Sequence, residues 1–224
     1  MRRAACSLAL CLLAATIGGC AAMSQRHRPM AMVEAPDDPG RAWKERIGSA
    51  DAARLDALPA RWSAALAAAR PHFAATLARE GVLLVPARAL RYPALPPGSY
   101  RCRAVKLGAA GPRRPAWRSF PPAFCFVGSE ADAQSFTKQT GSERAAGWLY
   151  PDGGTRMVFL GAFAEGTAAA PVYGAAKGHN AVGVVERIAH FRWRLTLVPT
   201  DGSAQLTIYD LTPVPVEGQI PETE

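Results

Sequence analysis

Alternation with a period of two constrains this chain more than any other feature. In "FRWRLTLV" (residues 191–198), Phe191, Trp193, Leu195 and Leu197 share one face, and Arg192, Arg194 and Thr196 share the other. Successive side chains of a strand point to opposite sides of a sheet, so this segment reads as a half-buried strand. "SYRCRAVKL" (99–107) alternates likewise, with Tyr100, Cys102 and Ala104 set against Arg101 and Arg103. Short apolar or alternating runs recur at 123–127, 135–139, 144–150, 155–163, 181–188 and 204–211. "PDGG" and "PTDGS" are turn signals that make hairpins of the strands they join. About eight antiparallel strands at such spacing form a meander, and closure of so long a sheet removes its exposed edges. The expected fold is α+β and β-rich, with N-terminal helices packed on a small up-and-down barrel or strongly curved sheet. The alternative is an open antiparallel sheet with helices on one face.

The helical part precedes the strands. Trp43, Ile47, Leu55 and Leu58 recur at near-helical spacing, and Ser49 is placed to cap a second helix. Pro59 then opens "PARWSAALAAARPHFAATLAREG", where Trp62, Leu66, Phe73 and Leu77 fall on one face. Pro71 should kink that helix near Ala69, and Gly81 should end it. Prolines 93, 96 and 97 mark the change to β-type sequence. A single folded domain is expected over 41–213, helical in 41–81 and β-rich in 99–213, with a C-terminal tail at 214–224.

The front end bears on compartment. Arg2 and Arg3 precede an uncharged run from Ala4 to Ile17 that is shorter than a spanning helix needs. Ile17-Gly18-Gly19-Cys20 looks like the lipobox of bacterial lipoproteins. On that basis 1–19 is a signal peptide, Cys20 carries the lipid, and 20–40, which includes three prolines, is a flexible tether. The protein would then be lipid-anchored in the cell envelope and face the periplasm. Ala21, where an aspartate would retain the chain, points to the outer membrane. Cys6 and Cys11 leave with the signal, so Cys102 and Cys125 remain and, in an oxidising compartment, form one disulfide.

The phrases "LPPGSYRCRAVKLG", "FCFV", "FTKQTGSERAAGWLYPD", "RMVFLGAF" and "VGVVERI" with "FRWRL" resemble a bacterial domain-of-unknown-function family, DUF4893. The resemblance runs from about Trp43 to Pro213. It implies a secreted or lipid-anchored protein and brings no activity, so no residue gains a catalytic role from it.

Chemical grammar is sparse. His27, His72, His179 and His190 are scattered, and no serine or cysteine sits in a G-x-S-x-G elbow. No H-x-x-x-H, C-x-x-C or acidic calcium loop occurs, so neither a metal nor a cofactor is expected. The formal net charge is +8, mostly from arginine, which suits an anionic ligand or an envelope protein; nucleic acid is the wrong partner for this compartment. Arg101, Arg103, Arg144, Arg156, Arg192 and Arg194 all lie in strand-like segments. They make either an anionic-ligand face, with Glu186 in phase beside it, or internal ion pairs with Glu143, Glu186 and Asp210. The expected function is non-enzymatic binding or scaffolding. Alternatives are a calycin-like carrier or inhibitor, and an enzyme that gathers His179 or His190 with Glu186 or Asp152.

Overall fold

The computed structural model describes residues 41–108, 114–130, 133–164, 166–175, 178–200 and 204–215. Cys20, the apolar start and the tether lie outside them. Short helices α1 (Arg41–Lys44) and α2 (Ser49–Asp56) lead into α3 (Leu58–Glu80) and a 3-10 turn, η1 (Gly81–Leu84). Pro71 lies inside α3 without ending it; the helical angles break at Phe73 (φ −128°), two residues past the proline. Gly81 ends the α-helix at positive φ, as its sequence position requires.

The strands are β1 (Gly98–Leu107), β2 (Trp117–Ser119), β3 (Ala123–Glu130), β4 (Ala133–Lys138) and β5 (Arg144–Asp152). They continue with β6 (Arg156–Ala164), β7 (Asn180–Ala189), β8 (Arg192–Leu197) and β9 (Leu206–Pro213). From β3 onward each strand pairs antiparallel with the next, and β1 pairs with both β3 and β9. The meander therefore closes into an eight-stranded barrel, and β2 extends the pairing along the second half of β1.

Closure gives each strand an inner and an outer row. The inner row holds Tyr100, Phe136, Phe159, Trp193, Leu195 and Tyr209, all nearly solvent-free. Tyr100 meets Trp193 edge-on at 6.1 Å between centroids, and Phe136 meets Phe159 edge-on at 5.8 Å. Rings at these separations are close-packed, so the interior is a core and not a ligand chamber. Cys102 and Cys125 lie in the same layer and are bonded to each other across β1 and β3.

The outer row forms a second core under the helices. Val105, Leu107, Val158, Leu160, Val184 and Ile208 pack there against Trp62, Ala65, Ala69 and Leu83. Ala65 and Ala69 sit four residues apart on α3 and are fully buried, so the helix lies close on the sheet. The barrel's two ends differ. One is plugged by 85–97: Leu95, 1% exposed, exchanges two hydrogen bonds with the Gln134 amide, and the Tyr100 hydroxyl donates to Pro96 O at 2.6 Å. The other end is the mouth, formed by the C-terminal ends of β1 and β4 and the start of β5.

Candidate functional site

Strand phase decides where the charges go. On the outer row, register sets Arg103 opposite Asp210, Asp210 opposite Arg194, Arg194 opposite Glu186, Glu186 opposite Arg156, and Arg156 opposite Asp152. This is a six-residue ladder of strictly alternating sign across six strands. Opposite charges at such cross-strand positions attract, and like charges would repel. Arg103 donates to Asp210 Oδ2 at 3.0 Å and also to both oxygens of Glu80 on α3. Arg192 donates to both oxygens of Asp210, at 2.7 and 2.9 Å. Arg156 donates to Asp152 at 2.6 Å.

Arg194 is fully buried. It donates to Glu186 through Nε at 3.1 Å and Nη2 at 2.5 Å, and its remaining protons go to the carbonyls of Leu83, Val85, Pro86 and Arg88. Its guanidinium also stacks over Trp62 at 5.0 Å. Glu186 does point to the apolar side, as its phase with Val184 and Ile188 implies, and Arg194 is the partner that a half-buried carboxylate needs. Of the six arginines read as an anionic-ligand face, Arg103, Arg156, Arg192 and Arg194 are thus bonded to carboxylates of the outer ladder. Arg144 is elsewhere and donates to Gly166 O and Ala168 O, while Arg101 is exposed opposite Phe124.

The enzyme constellation is not gathered. His179 and His190 flank opposite ends of β7, Glu186 is engaged by Arg194, and Asp152 by Arg156. Trp117 packs on Phe73 of α3 at 6.0 Å and is half-buried, so it belongs to the helix–sheet contact. Among the described residues no group of His, Cys, Asp and Glu is placed to hold a metal ion.

The mouth is chemically different. Lys106 follows Tyr100, Cys102 and Ala104 in the inward phase of β1, and Lys138 follows Phe136 in that of β4. Both are buried, at 6% and 5% exposure. Lys106 donates to Glu143 Oε1, and Lys138 to the adjacent carbonyl, Ser142 O. The Lys138 ammonium also stands 5.8 Å from the Tyr209 ring, whose hydroxyl donates to Glu143 O at 3.0 Å. The connection between β4 and β5, "QTGSE" (139–143), is in this way folded over the mouth as a flap. Thr140 Oγ1 accepts from Phe124 N at 2.9 Å on its outer side. Gly141 takes φ +78° and Glu143 φ +51°, a left-handed conformation that costs a non-glycine residue about 1 kcal/mol. Such strain persists only where neighbouring bonds hold it.

Glu143 divides the mouth into two clefts. One, about 250 Å³, lies between Cys102, Pro122, Lys138 and Tyr209; the other, about 270 Å³, between Phe163, His179, Pro199 and Thr207. Among the described residues that line them, Glu143 is the one carboxylate. Burial lowers the Lys138 pKa; the Glu143 carboxylate works against that and the Arg144 charge adds to it. Burial raises the Tyr209 phenol well above its ordinary value, and the Glu143 charge adds to the effect.

A closed antiparallel barrel, plugged at one end and carrying a flap over lysines at the other, defines the class structurally. The chain belongs to the family described as Domain of unknown function (DUF4893), whose model matches residues 43–211. No curated protein and no solved structure matches it.

Proposed function

We propose that the protein is a lipid-anchored envelope module that binds a small ligand at the barrel mouth and catalyses nothing. The observation that carries this is the contrast between the two ends: one is filled by Leu95, the other opens into clefts lined by a buried lysine, a phenol and a strained flap. The close-packed interior argues against a carrier that encloses its ligand. The anchor rests on Ile17-Gly18-Gly19-Cys20, and Ala21 favours the outer membrane. A cross-strand disulfide in the core suits the oxidising side of the inner membrane.

Two measurements test the two halves. Fractionation of cells fed labelled palmitate should find the label on the wild-type chain in the membrane and not on Cys20→Ser; an unlabelled, soluble wild type refutes the anchor. Equilibrium dialysis of the purified chain against a small-molecule envelope extract should retain a compound that Lys138→Met does not. Equal retention by both chains, or none by either, refutes binding at the mouth.

A further inference from the structure

We propose that the plugged end of the barrel docks on the surface of an anionic bilayer, with Tyr92 and Phe191 as the side chains that enter it. This rests on the lipid-anchored reading above and says which end of the domain meets the membrane.

Backbone strain and exposure coincide at two aromatic residues of that end. Phe191 takes φ +49° in the turn from β7 to β8, and Tyr92 takes φ +61° in the plugging segment. Positive φ is an outlier for a bulky side chain, and turns ordinarily place glycine, asparagine or aspartate in it. A ring packed into the core would offset the cost. These rings are not: Tyr92 is 72% exposed and Phe191 58% exposed, the highest values of any aromatic residue among those described. Strain that the fold does not use points to a contact made outside it.

Hydrogen bonds set both rings at one end. Tyr92 N donates to Gly154 O at 3.0 Å, which ties it to the β5–β6 turn. Leu90 N donates to Arg187 O at 2.8 Å and Arg88 Nε to Ile188 O at 3.1 Å, which ties the residues before it to the end of β7. Residues 88–92 therefore run between the two turns that carry the rings. Arg88 and Arg91 are exposed on the same segment, and the Arg91 guanidinium lies 5.6 Å from the Tyr92 ring. Aromatic rings with a polar edge settle at headgroup level, and basic side chains near an anionic leaflet add attraction.

The chain also enters the domain here. Trp43 lines a cleft with Pro86 and Ala87 of the plug and Arg156 at the start of β6, and Arg46 lies 5.4 Å from the Tyr150 ring near the end of β5. Cys20 precedes Arg41 by 21 positions, so a lipid on it would join the domain from the plugged side. Docking of that side leaves the mouth pointing away from the membrane, where a solute can reach it.

Flotation of the chain 21–224, which keeps every described residue and lacks Cys20, tests the tip without the lipid. One set of vesicles contains phosphatidylglycerol and phosphatidylethanolamine, the other phosphatidylcholine alone. The wild-type chain should bind the first at least ~5-fold more tightly. Tyr92→Gly with Phe191→Gly should weaken binding at least ~10-fold, as expected for withdrawing two rings from an apolar phase. The same pair should melt no lower than wild type, because glycine accepts positive φ. Phe124→Ser, which removes an exposed ring from the barrel wall, should bind as wild type does. The proposal is overturned if wild type does not float with the phosphatidylglycerol vesicles or prefers the neutral ones, if the glycine pair floats equally well, or if Phe124→Ser loses as much. A glycine pair that melts lower overturns it too, since the rings would then serve the fold. So does a vesicle-independent dimer that the glycine pair abolishes, which would give the tip to a second copy of the chain. Palmitate on a protein whose 21–224 chain fails to float refutes the tip alone; flotation without palmitate in cells refutes the anchor alone.

Discussion

Arg194→Met is the most informative single test of the outer architecture. The guanidinium joins three elements: β8, which carries it; β7, through two bonds to Glu186; and η1 with the segment after it, through four carbonyls at 2.9–3.4 Å. Methionine fills much of the same volume, so the cavity contribution is small. What is lost is pairing. The Glu186 side chain, 13% exposed, is left as a carboxylate without its cation. Breaking a buried ion pair from one side costs about 3–5 kcal/mol. For a domain of this size each kcal/mol lowers the thermal midpoint by about 2–4 °C, which gives a fall of roughly 6–20 °C. Arg194→Lys should recover only part, because an ammonium offers three donors from a single point where the guanidinium offers five in a plane. Glu186→Leu combined with Arg194→Met should be more stable than Arg194→Met alone, since the double variant has no orphaned charge. Calorimetry and urea unfolding measure all four proteins. A fall under ~2 °C for Arg194→Met, or a double variant no better than the single, would refute a coupled ladder.

Three further outcomes are expected. Replacing both Cys102 and Cys125 with alanine opens a link between residues 23 apart and should cost roughly 3 kcal/mol in the chain-entropy account; an unchanged urea midpoint would contradict it. Gly161→Ala would bring a methyl 2.2 Å from Ala146 O and 2.5 Å from the Phe159 ring, so β5 and β6 must part, at a cost of about 1–3 kcal/mol in urea unfolding; wild-type stability would show that the strands can shift freely. Burial raises the Tyr100 and Tyr209 phenols, so above pH ~10 the unfolded chain loses these protons before the folded one does and stability falls. Lys138 has the opposite sign: its lowered pKa adds stability as pH rises toward ~10.5, and Lys138→Met should remove that rise from the pH profile while leaving the alkaline fall.

Period-two patterning made the barrel legible because every long strand has one apolar face, and a closed meander needs only sequential pairing. β2 escaped notice because three residues in a proline-rich stretch are too few to show a period. Burial of Arg194 escaped for a different reason. The alternation separates Trp193 from Arg194 but cannot tell that helices cover the arginine's face as well. The ladder needed register: Arg103 and Asp210 are 107 residues apart and meet only through the β1–β9 closure. The mouth lysines were within reach. Lys106 continues the phase of Cys102 and Ala104, and Lys138 that of Phe136, so both could be read as inward-pointing.

The two charged regions differ in what they leave for a ligand. Along the ladder every arginine has an adjacent carboxylate, so the signs cancel within one strand spacing, about 5 Å, and little field extends beyond it. A free anion approaching that face would have to displace a carboxylate that the sheet's register holds in place. At the mouth Lys138 is buried and fixed by strand phase, and the carboxylate found among the described lining residues, Glu143, hangs from a turn and is nearly half exposed. A ligand arriving there meets a side chain that water can take back. Ligand retention at the mouth should therefore follow Lys138 and Glu143, and be insensitive to charge changes at Arg156 or Arg192, although the arginines are far more numerous.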